Sequence, residues 1–435
     1  MTKIKLITPI VMFLLCVQTL NAQKTNEVNT LIGTDAHGHT YPGATSPFGM
    51  IQLSPDTRQD SWDGCSGYHY SDKVIYGFSH THLSGTGCLD YGDILFIPTI
   101  KAWSEKDFSM TFSHKNETAS AGYYAISNLN NQSIDAFLTT TPRVGFHKYS
   151  FPASAKQTSI IIDLLWRDEL LDCSYKILND STIVGYRCSK SWNENQKIFF
   201  ATIFSQKISK HKFDEQTKKL FLEFELAEAN NKKTIEARTA ISSVSEEGAL
   251  KNLASEECIR FDKALAKNTA LWEKELGKIE ISGASKKQKE IFYTSLYHCL
   301  IAPNLYSDVD NRYRGMDDQI HRSKGYKRYT VFSLWDTYRT LHPLLSIIDE
   351  NRSRDFAKTY IDMQLQNGEL PMWELASAET HCMIGMHGVS VLAELYQKGL
   401  GVYPKLTLES MLNNTDPQLR VINKRNYTEK KHNLL

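Results

Sequence analysis

Three segments concentrate side chains able to do chemistry. The first runs from Ser61 to Tyr70 (Ser-Trp-Asp-Gly-Cys-Ser-Gly-Tyr-His-Tyr) and resumes at Gly77-Phe78-Ser79-His80-Thr81-His82-Leu83-Ser84-Gly85-Thr86-Gly87-Cys88-Leu89-Asp90-Tyr91-Gly92-Asp93. Its glycines allow close backbone approach to a ligand. His80 and His82 with Asp90 and Asp93 could hold a metal, pin a loop through a polar network, or receive sugar hydroxyls. The second segment is Ser333-Leu334-Trp335-Asp336-Thr337-Tyr338-Arg339-Thr340. Asp336 and Arg339 are three apart at an expected helix start and would share a face. Capping by Ser333 or Asp336 plus an ordinary ion pair accounts for the same residues structurally. Trp335 beside a carboxylate also offers what a sugar subsite needs, a stacking face and a hydroxyl acceptor. The third segment is Leu370-Pro371-Met372-Trp373-Glu374-Leu375, followed by Glu379-Thr380-His381-Cys382-Met383-Ile384-Gly385-Met386-His387-Gly388. Glu379 is expected to open a helix, where the dipole favours an acid, with His387 near the same face.

Several chemistries have no signature. There is no Gly-x-Ser-x-Gly elbow, no phosphate loop and no dinucleotide fingerprint. A net charge of +1 provides no field toward nucleic acid or anionic membranes. With 41% hydrophobic and 23% charged residues the chain has a globular composition, not a disordered one.

The elements that must position these segments change character along the chain. Its 435 residues exceed what one core usually supports. From Val28 to Ser245 the texture is β: Ser159 to Leu164, Thr182 to Tyr186, Lys197 to Phe204, Lys219 to Leu226 and Thr234 to Val244 are short runs bounded by turn residues. Such spacing predicts a sandwich. Thr34 to Pro98 reads as a long functional loop region. Residues 246–284 read as a helical linker. Beyond Ser285 the period is helical, with four stripes. They are Ile291, Phe292, Leu296, Cys299 and Leu300; Trp335, Tyr338, Leu341, Leu345 and Ile348, kinked at Pro343; Phe356, Tyr360 and Met363, ended by Gly368; and Val389, Leu392, Leu395 and Tyr396, ended at Lys398-Gly399. The fold class is multidomain β + α: a β-sandwich domain over 28–245, the linker, and a helical domain over 285–414.

The ends read differently. Lys3 and Lys5, the apolar run Leu6 to Leu20 and Asn21-Ala22 form a secretory signal over 1–22, too short and interrupted for a membrane span. An exported protein, periplasmic or on the cell surface, follows. Beyond this leader seven cysteines remain, at 65, 88, 173, 188, 258, 299 and 382, so at least one is unpaired. A Cys65–Cys88 bridge is open, and Cys299 and Cys382 are expected as buried thiols in helices. The basic stretch over 415–435 reads as a solvated tail.

The three segments, in this order, resemble glycoside hydrolase family 92, exported bacterial α-mannosidases. The likeness also takes in Val28-Asn29-Thr30-Leu31-Ile32-Gly33-Thr34, Tyr41-Pro42-Gly43-Ala44-Thr45-Ser46-Pro47-Phe48-Gly49-Met50, Phe292-Tyr293-Thr294-Ser295-Leu296-Tyr297-His298 and Tyr313-Arg314-Gly315, and spans about Val28 to Met411. The resemblance implies an N-terminal β-sandwich joined by helices to an (α/α)6 barrel, with the site between them. It implies Ca2+ and inverting hydrolysis, which sets an acid and a base about 6.5–9.5 Å apart. The substrates implied are α-mannosides of N-glycans or yeast-type mannan. It further implies that Trp62, Asp336, Arg339 and Glu379 contact mannose, followed by His80, His82 and Asp90, with Trp335 and Trp373 as stacking candidates. The family's Asn-Glu-Pro and Met-Ser-Ala-Trp segments, which carry its acid, base and calcium ligands, do not occur here. The expectation is therefore a C-terminally truncated member with an incomplete barrel and no catalytic residue or metal ligand of its own. A non-catalytic mannose-binding protein, an inactive fragment, or a chain completed by a downstream polypeptide are the alternatives.

Overall fold

A computed structural model describes residues 23–256 and 260–415. The secretory leader, Cys258 and the basic tail lie outside the described residues. An all-β region is followed by a helical one.

Two antiparallel sheets pack face to face. One has seven strands in the order Ala44–Thr45, Gln52–Asp56, Gly77–Ser79, Leu95–Thr99, Ser159–Asp163, Lys219–Phe224, Ile208–Asp214. The other runs Glu169–Asn179, Thr182–Lys190, Gln196–Phe204, Lys232–Ser242, Val144–Pro152, Ile134–Thr140, Tyr123–Leu129, Glu117–Ser120, with Glu228–Ala229 on the side of Lys232–Ser242. Phe78, Phe96, Ile160 and Ile162 of the first sheet share one apolar core with Tyr124, Leu138, Tyr149 and Phe200 of the second. The segment Thr34 to Pro98 is not one long loop. Four strands of the first sheet, Ala44–Thr45, Gln52–Asp56, Gly77–Ser79 and Leu95–Thr99, pass through it or begin in it, and Gln52–Asp56 and Leu95–Thr99 are buried at every position. Strands covered on both faces lose the polar–apolar alternation that marks a half-buried strand.

Eight α-helices follow among the described residues: α1 (Glu246–Ser255), α2 (Phe261–Leu276), α3 (Lys286–Cys299), α4 (Leu334–Thr337), α5 (Leu341–Ile348), α6 (Glu350–Asn367), α7 (His387–Gln397) and α8 (Pro404–Thr415). Their starts are chemically encoded. Ser245 caps α1 by accepting the Gly248 N–H, with Glu246 and Glu247 in its first turn. Ser285 and Gln288 form a capping box on α3, and Asp349 caps α6, which ends at Gly368 with φ of 83°. Helix α2 is riveted to the sandwich. Trp272 Nε1 donates to the Thr45 carbonyl at 2.8 Å, and Asn268 Nδ2 to the Gly122 carbonyl at 3.2 Å. A Cβ at Gly122 would meet that Asn268 nitrogen at 2.7 Å, and its φ of +80° also favours glycine.

Three helical expectations need correction. Ile291 is exposed, and α3 instead buries Tyr293, Leu296 and Tyr297. Pro343 does not kink a long helix: it lies in the first turn of α5, where its missing N–H costs nothing, and α4 is a separate single turn. Glu379 opens no helix. It lies in the short strand Ala378–Glu379, paired with Trp373–Leu375, and α7 begins eight residues later. Cys382 accordingly sits in a loop. Cys65 and Cys88 are buried free thiols and form no bridge.

Candidate functional site

The histidine-rich segment folds inwards. His80 is fully buried; its Nδ1 lies 2.7 Å from the Ile94 carbonyl and its Nε2 2.9 Å from His147 Nε2. Burial, above all, holds the His80 ring well down, at about 4, so it stays neutral. His82 is buried too, with Nδ1 2.9 Å from the Gln52 carbonyl and Nε2 3.4 Å from Asp56. Asp90 accepts the N–H groups of Trp192 and Asn193 at 3.2 and 2.9 Å. Asp93 takes Arg187, Gln196 and Thr81, each at 2.7 Å. These four residues spend their polar atoms on the protein. His80, His82 and Asp90, expected as later mannose contacts, are placed inside the protein and brace the loops that carry other groups. Among the described residues no three His, Cys, Asp or Glu side chains converge as metal ligands.

Trp62 does reach solvent, at 57% exposure. His39 packs edge-on to it at 4.1 Å, and Trp62 Nε1 would lie 2.6 Å from a Cβ at Gly87. Its neighbour Asp63 holds His37 at 2.6 Å, and that bond is the main reason the Asp63 carboxyl is lowered. The loop under Trp62 meets the helical region: Leu83, Cys88 and Tyr91 share an apolar cluster with Tyr306, Tyr313, Val331, Trp373 and Leu375, against which Cys382 and Met383 pack.

On the helical side, the turn Leu334–Thr337 presents Trp335 and Asp336 to solvent, and Arg339 follows, also exposed. Among the described residues Asp336 accepts only the Ser333 hydroxyl, and Arg339 Nε donates to Tyr338 Oη at 2.8 Å. Asp336 and Arg339 do not pair with each other. Tyr338 is stacked at 4.2 Å on His387.

The strand pair Trp373–Leu375 and Ala378–Glu379 closes through Ala376 and Ser377, whose φ angles are 49° and 64°. A two-residue turn with both φ positive usually carries Asn-Gly. Here neighbours hold it: Glu374 Oε1 accepts the Ser377 N–H at 2.6 Å, Thr330 Oγ1 accepts that of Ala376 at 2.8 Å, and Asn193 Nδ2 donates to the Leu375 and Ala376 carbonyls at 3.0 and 3.2 Å. Glu374 is fully buried, which raises its carboxyl to about 7 against the pull of Arg328. Glu379 receives the N–H groups of Met372 at 2.8 Å, Trp373 at 3.0 Å and His381 at 3.3 Å. Burial raises its pKa in spite of them. Trp373 is buried, with Trp192 edge-on at 5.8 Å, so it offers a sugar no free face. Burial pushes the Cys382 thiol up, and the charges of Glu379 and Asp336 add to it.

A cleft of about 610 Å³ opens where the sandwich loop Trp192–Asn195 faces the hairpin tip, with Arg314, Asp318, Asn367, Glu379 and His381 on its walls. Glu379 alone of the expected site residues lines it. Trp192, Asn193 and Arg314 went unrecognised as site residues in the sequence. The available signal was Ser191-Trp192-Asn193-Glu194-Asn195, a tryptophan in a polar strand connection.

Comparisons with known proteins agree with one another. Residues 27–246 match the glycosyl hydrolase family 92 N-terminal domain and residues 248–434 the family's catalytic domain. A family GH92 alpha-mannosidase of Bacteroides thetaiotaomicron superposes with a TM-score of 0.85 and 34% identity, over 91% of this chain and 57% of its own. The inverting GH92 mannosidase of the same organism gives 0.80 and 26%, over 90% of this chain and 55% of its own. An uncharacterised secreted glycosidase of Arthroderma benhamiae is 25% identical over 357 residues, 72% of this chain and 45% of that protein. The chain thus spans about half the length of the relatives it matches. It belongs to glycosyl hydrolase family 92.

Proposed function

We propose that this chain acts on α-mannosides of N-glycans or yeast-type mannan, with terminal mannose held near Trp62, Trp335, Asp336 and Arg339 and released with inversion. The observation that carries this reading is the superposition on an α-mannosidase over 91% of the chain. It is supported by the exposed tryptophans Trp62 and Trp335 and by Asp336 and Arg339, whose polar atoms are bound only by adjacent residues of their own turn. An aromatic face with a carboxylate and a guanidinium is suited to one sugar ring. In this reading residues 28–245 form the sandwich domain, 246–284 the linker and 285–414 barrel helices. The protein is exported, to periplasm or cell surface; no helix among the described residues is long and apolar enough to cross a membrane.

The test is mannose release from α-1,2-mannobiose and a high-mannose glycan, with calcium and with chelator, followed by proton NMR. Calcium-dependent release of β-mannose as first product is expected of the hydrolase. Release of α-mannose first overturns inversion. A second reading, mannoside binding without turnover, is favoured by two observations: the absence of a metal-ligand cluster among the described residues, and the commitment of Glu379 to three backbone N–H groups. Saturable binding without release selects it. Neither binding nor release overturns both.

A further inference from the structure

The strand pair that carries Glu379 is shaped from outside itself. Its tip, Ala376-Ser377, holds two consecutive positive φ angles of 49° and 64°, a conformation that glycine and asparagine adopt readily and these two residues do not. Within the helical region Glu374, Thr330 and Tyr306 bond the tip, Tyr306 Oη donating to the Ala376 carbonyl at 3.3 Å. From the sandwich, the hydrogen bonds to the tip come through one side chain among the described residues. Asn193 Nδ2 donates to the Leu375 and Ala376 carbonyls at 3.0 and 3.2 Å.

Asn193 is a fixed peg. It is 3% exposed. Its own N–H is held by Asp90 Oδ1 at 2.9 Å, and its Oδ1 accepts the Asn195 N–H at 2.9 Å. That second bond sets which end of the amide is which: turned over, it would place an oxygen against two carbonyl oxygens. Both ends of the amide are thus spent on the protein. Other polar crossings between the two regions, such as Lys197 to Asp318 at 2.7 Å and Arg143 to the Ser307 carbonyl at 3.2 Å, hold different loops. What rides on the tip is Glu379. It pairs with Glu374, next to the tip pair Leu375 and Ala378, and its carboxylate closes on the backbone of Met372, Trp373 and His381. A shift of the tip carries Glu379 with it.

We propose that Asn193 is a positioning residue: from the sandwich side it sets the 376–381 wall of the cleft, Glu379 included, and so governs mannoside affinity without touching the sugar. This rests on the mannoside reading above, with Glu379 meeting the sugar at that wall.

The experiment is a double-mutant cycle, read by calorimetric titration of the full chain with methyl α-mannoside. The variants are Asn193→Ala, Glu379→Gln and the two together, each shown to be folded by its thermal melt. Asn193→Asp, which keeps the Asn195 acceptor and loses the donor, replaces Asn193→Ala if the latter does not fold. Each single substitution should weaken binding about tenfold, the size of one lost set of buried hydrogen bonds. The pair should be no more than about threefold weaker than Glu379→Gln alone, because both act through one wall. Lys197→Ala opens the pair to Asp318 and leaves the tip bonds in place, so it should change affinity less than about twofold. Full affinity in Asn193→Ala overturns the role, and so does a pair that loses the product of the two single effects. A loss in Lys197→Ala as large as in Asn193→Ala overturns it too, since any loosening between the regions would then suffice. Unchanged affinity in Glu379→Gln takes Glu379 off the sugar and the inference with it, while the mannoside reading stands. No binding to the unsubstituted chain overturns the mannoside reading itself.

Discussion

The sandwich and the helical region solve the burial problem to different degrees. The two sheets close on each other, and Phe96, Ile160, Ile162 and Phe200 have no exposure at all. The helices bury one face only. Of nineteen large apolar side chains left exposed among the described residues, twelve lie beyond residue 285, in the shorter region, among them Ile347, Leu365, Leu408 and Leu412. A sheet covered on its inner face needs nothing more, whereas a helix with a second apolar stripe keeps that area in water. The position of the site follows. The loops that carry Trp62 and Trp192 are braced from a closed core, and the helical turns that face them are held largely by hydrogen bonds to that core and to one another.

The largest effect should come from one substitution type made in both regions. Phe200→Ala removes a fully buried ring and should cost about 3–5 kcal/mol in denaturant unfolding. Leu365→Ala removes a side chain 60% exposed and should stay within about 0.5 kcal/mol. A costly Leu365→Ala would mean that this face is covered in solution, and the contrast would fail.

Next in size is the seam. Asp90→Ala leaves the Trp192 and Asn193 N–H groups without their acceptor and should cost about 1–3 kcal/mol. It should also loosen the 192–195 loop, seen as faster amide exchange there than in the sheets. Unchanged exchange would show that the loop is held by Asn193 alone.

How far the sequence discloses all this depends on which force sets each element. Ser159–Asp163 and Gln196–Phe204 are legible because runs of β-branched and aromatic residues end in turn residues. The α6 stop is legible because Gly368 takes a positive φ that glycine readily adopts. The hairpin at Ala376-Ser377 is not, since neither residue type favours its conformation, which Glu374, Thr330 and Asn193 impose from elsewhere in the chain. That is why Glu379 reads as a helix start and is a strand residue. The inward placement of His80 and His82 is hidden for a related reason. Histidine is usually near a surface, but here it sits next to fully buried strands whose carbonyls and side chains take up the ring nitrogens. Trp62, Asp336 and Arg339 stand exposed.

A smaller effect should depend on pH. Glu374 has its pKa raised to about 7 by burial. A raised acid contributes stability fully present below its unfolded pKa of about 4.5 and lost as pH rises through about 7. Glu374→Gln cannot ionise and keeps an acceptor for Ser377. Its unfolding free energy relative to the unsubstituted chain should therefore climb from pH 5 to pH 8, by an amount on the order of 1 kcal/mol once the lost attraction to Arg328 is set against it. A gap that does not change with pH would mean that Glu374 is ionised throughout and fully balanced by Arg328.

The smallest stability effect belongs to Trp62, and it is the sharpest test of what exposure means in the two regions. Leu408 and Leu412 are exposed on a helix that has neighbours of the same kind, so their exposure is a property of the face. Trp62 is exposed on the braced side of the molecule, packed by His39 and by the close approach of Gly87. If its role is to meet a ligand, Trp62→Ala should alter unfolding free energy by less than about 0.5 kcal/mol. Mannoside affinity should then fall about tenfold, the size of one lost stacking contact. A loss of stability above about 1 kcal/mol with affinity unchanged would assign Trp62 to packing of the 33–40 and 61–67 loops, and the recognition face would then have to rest on Trp335, Asp336 and Arg339 alone.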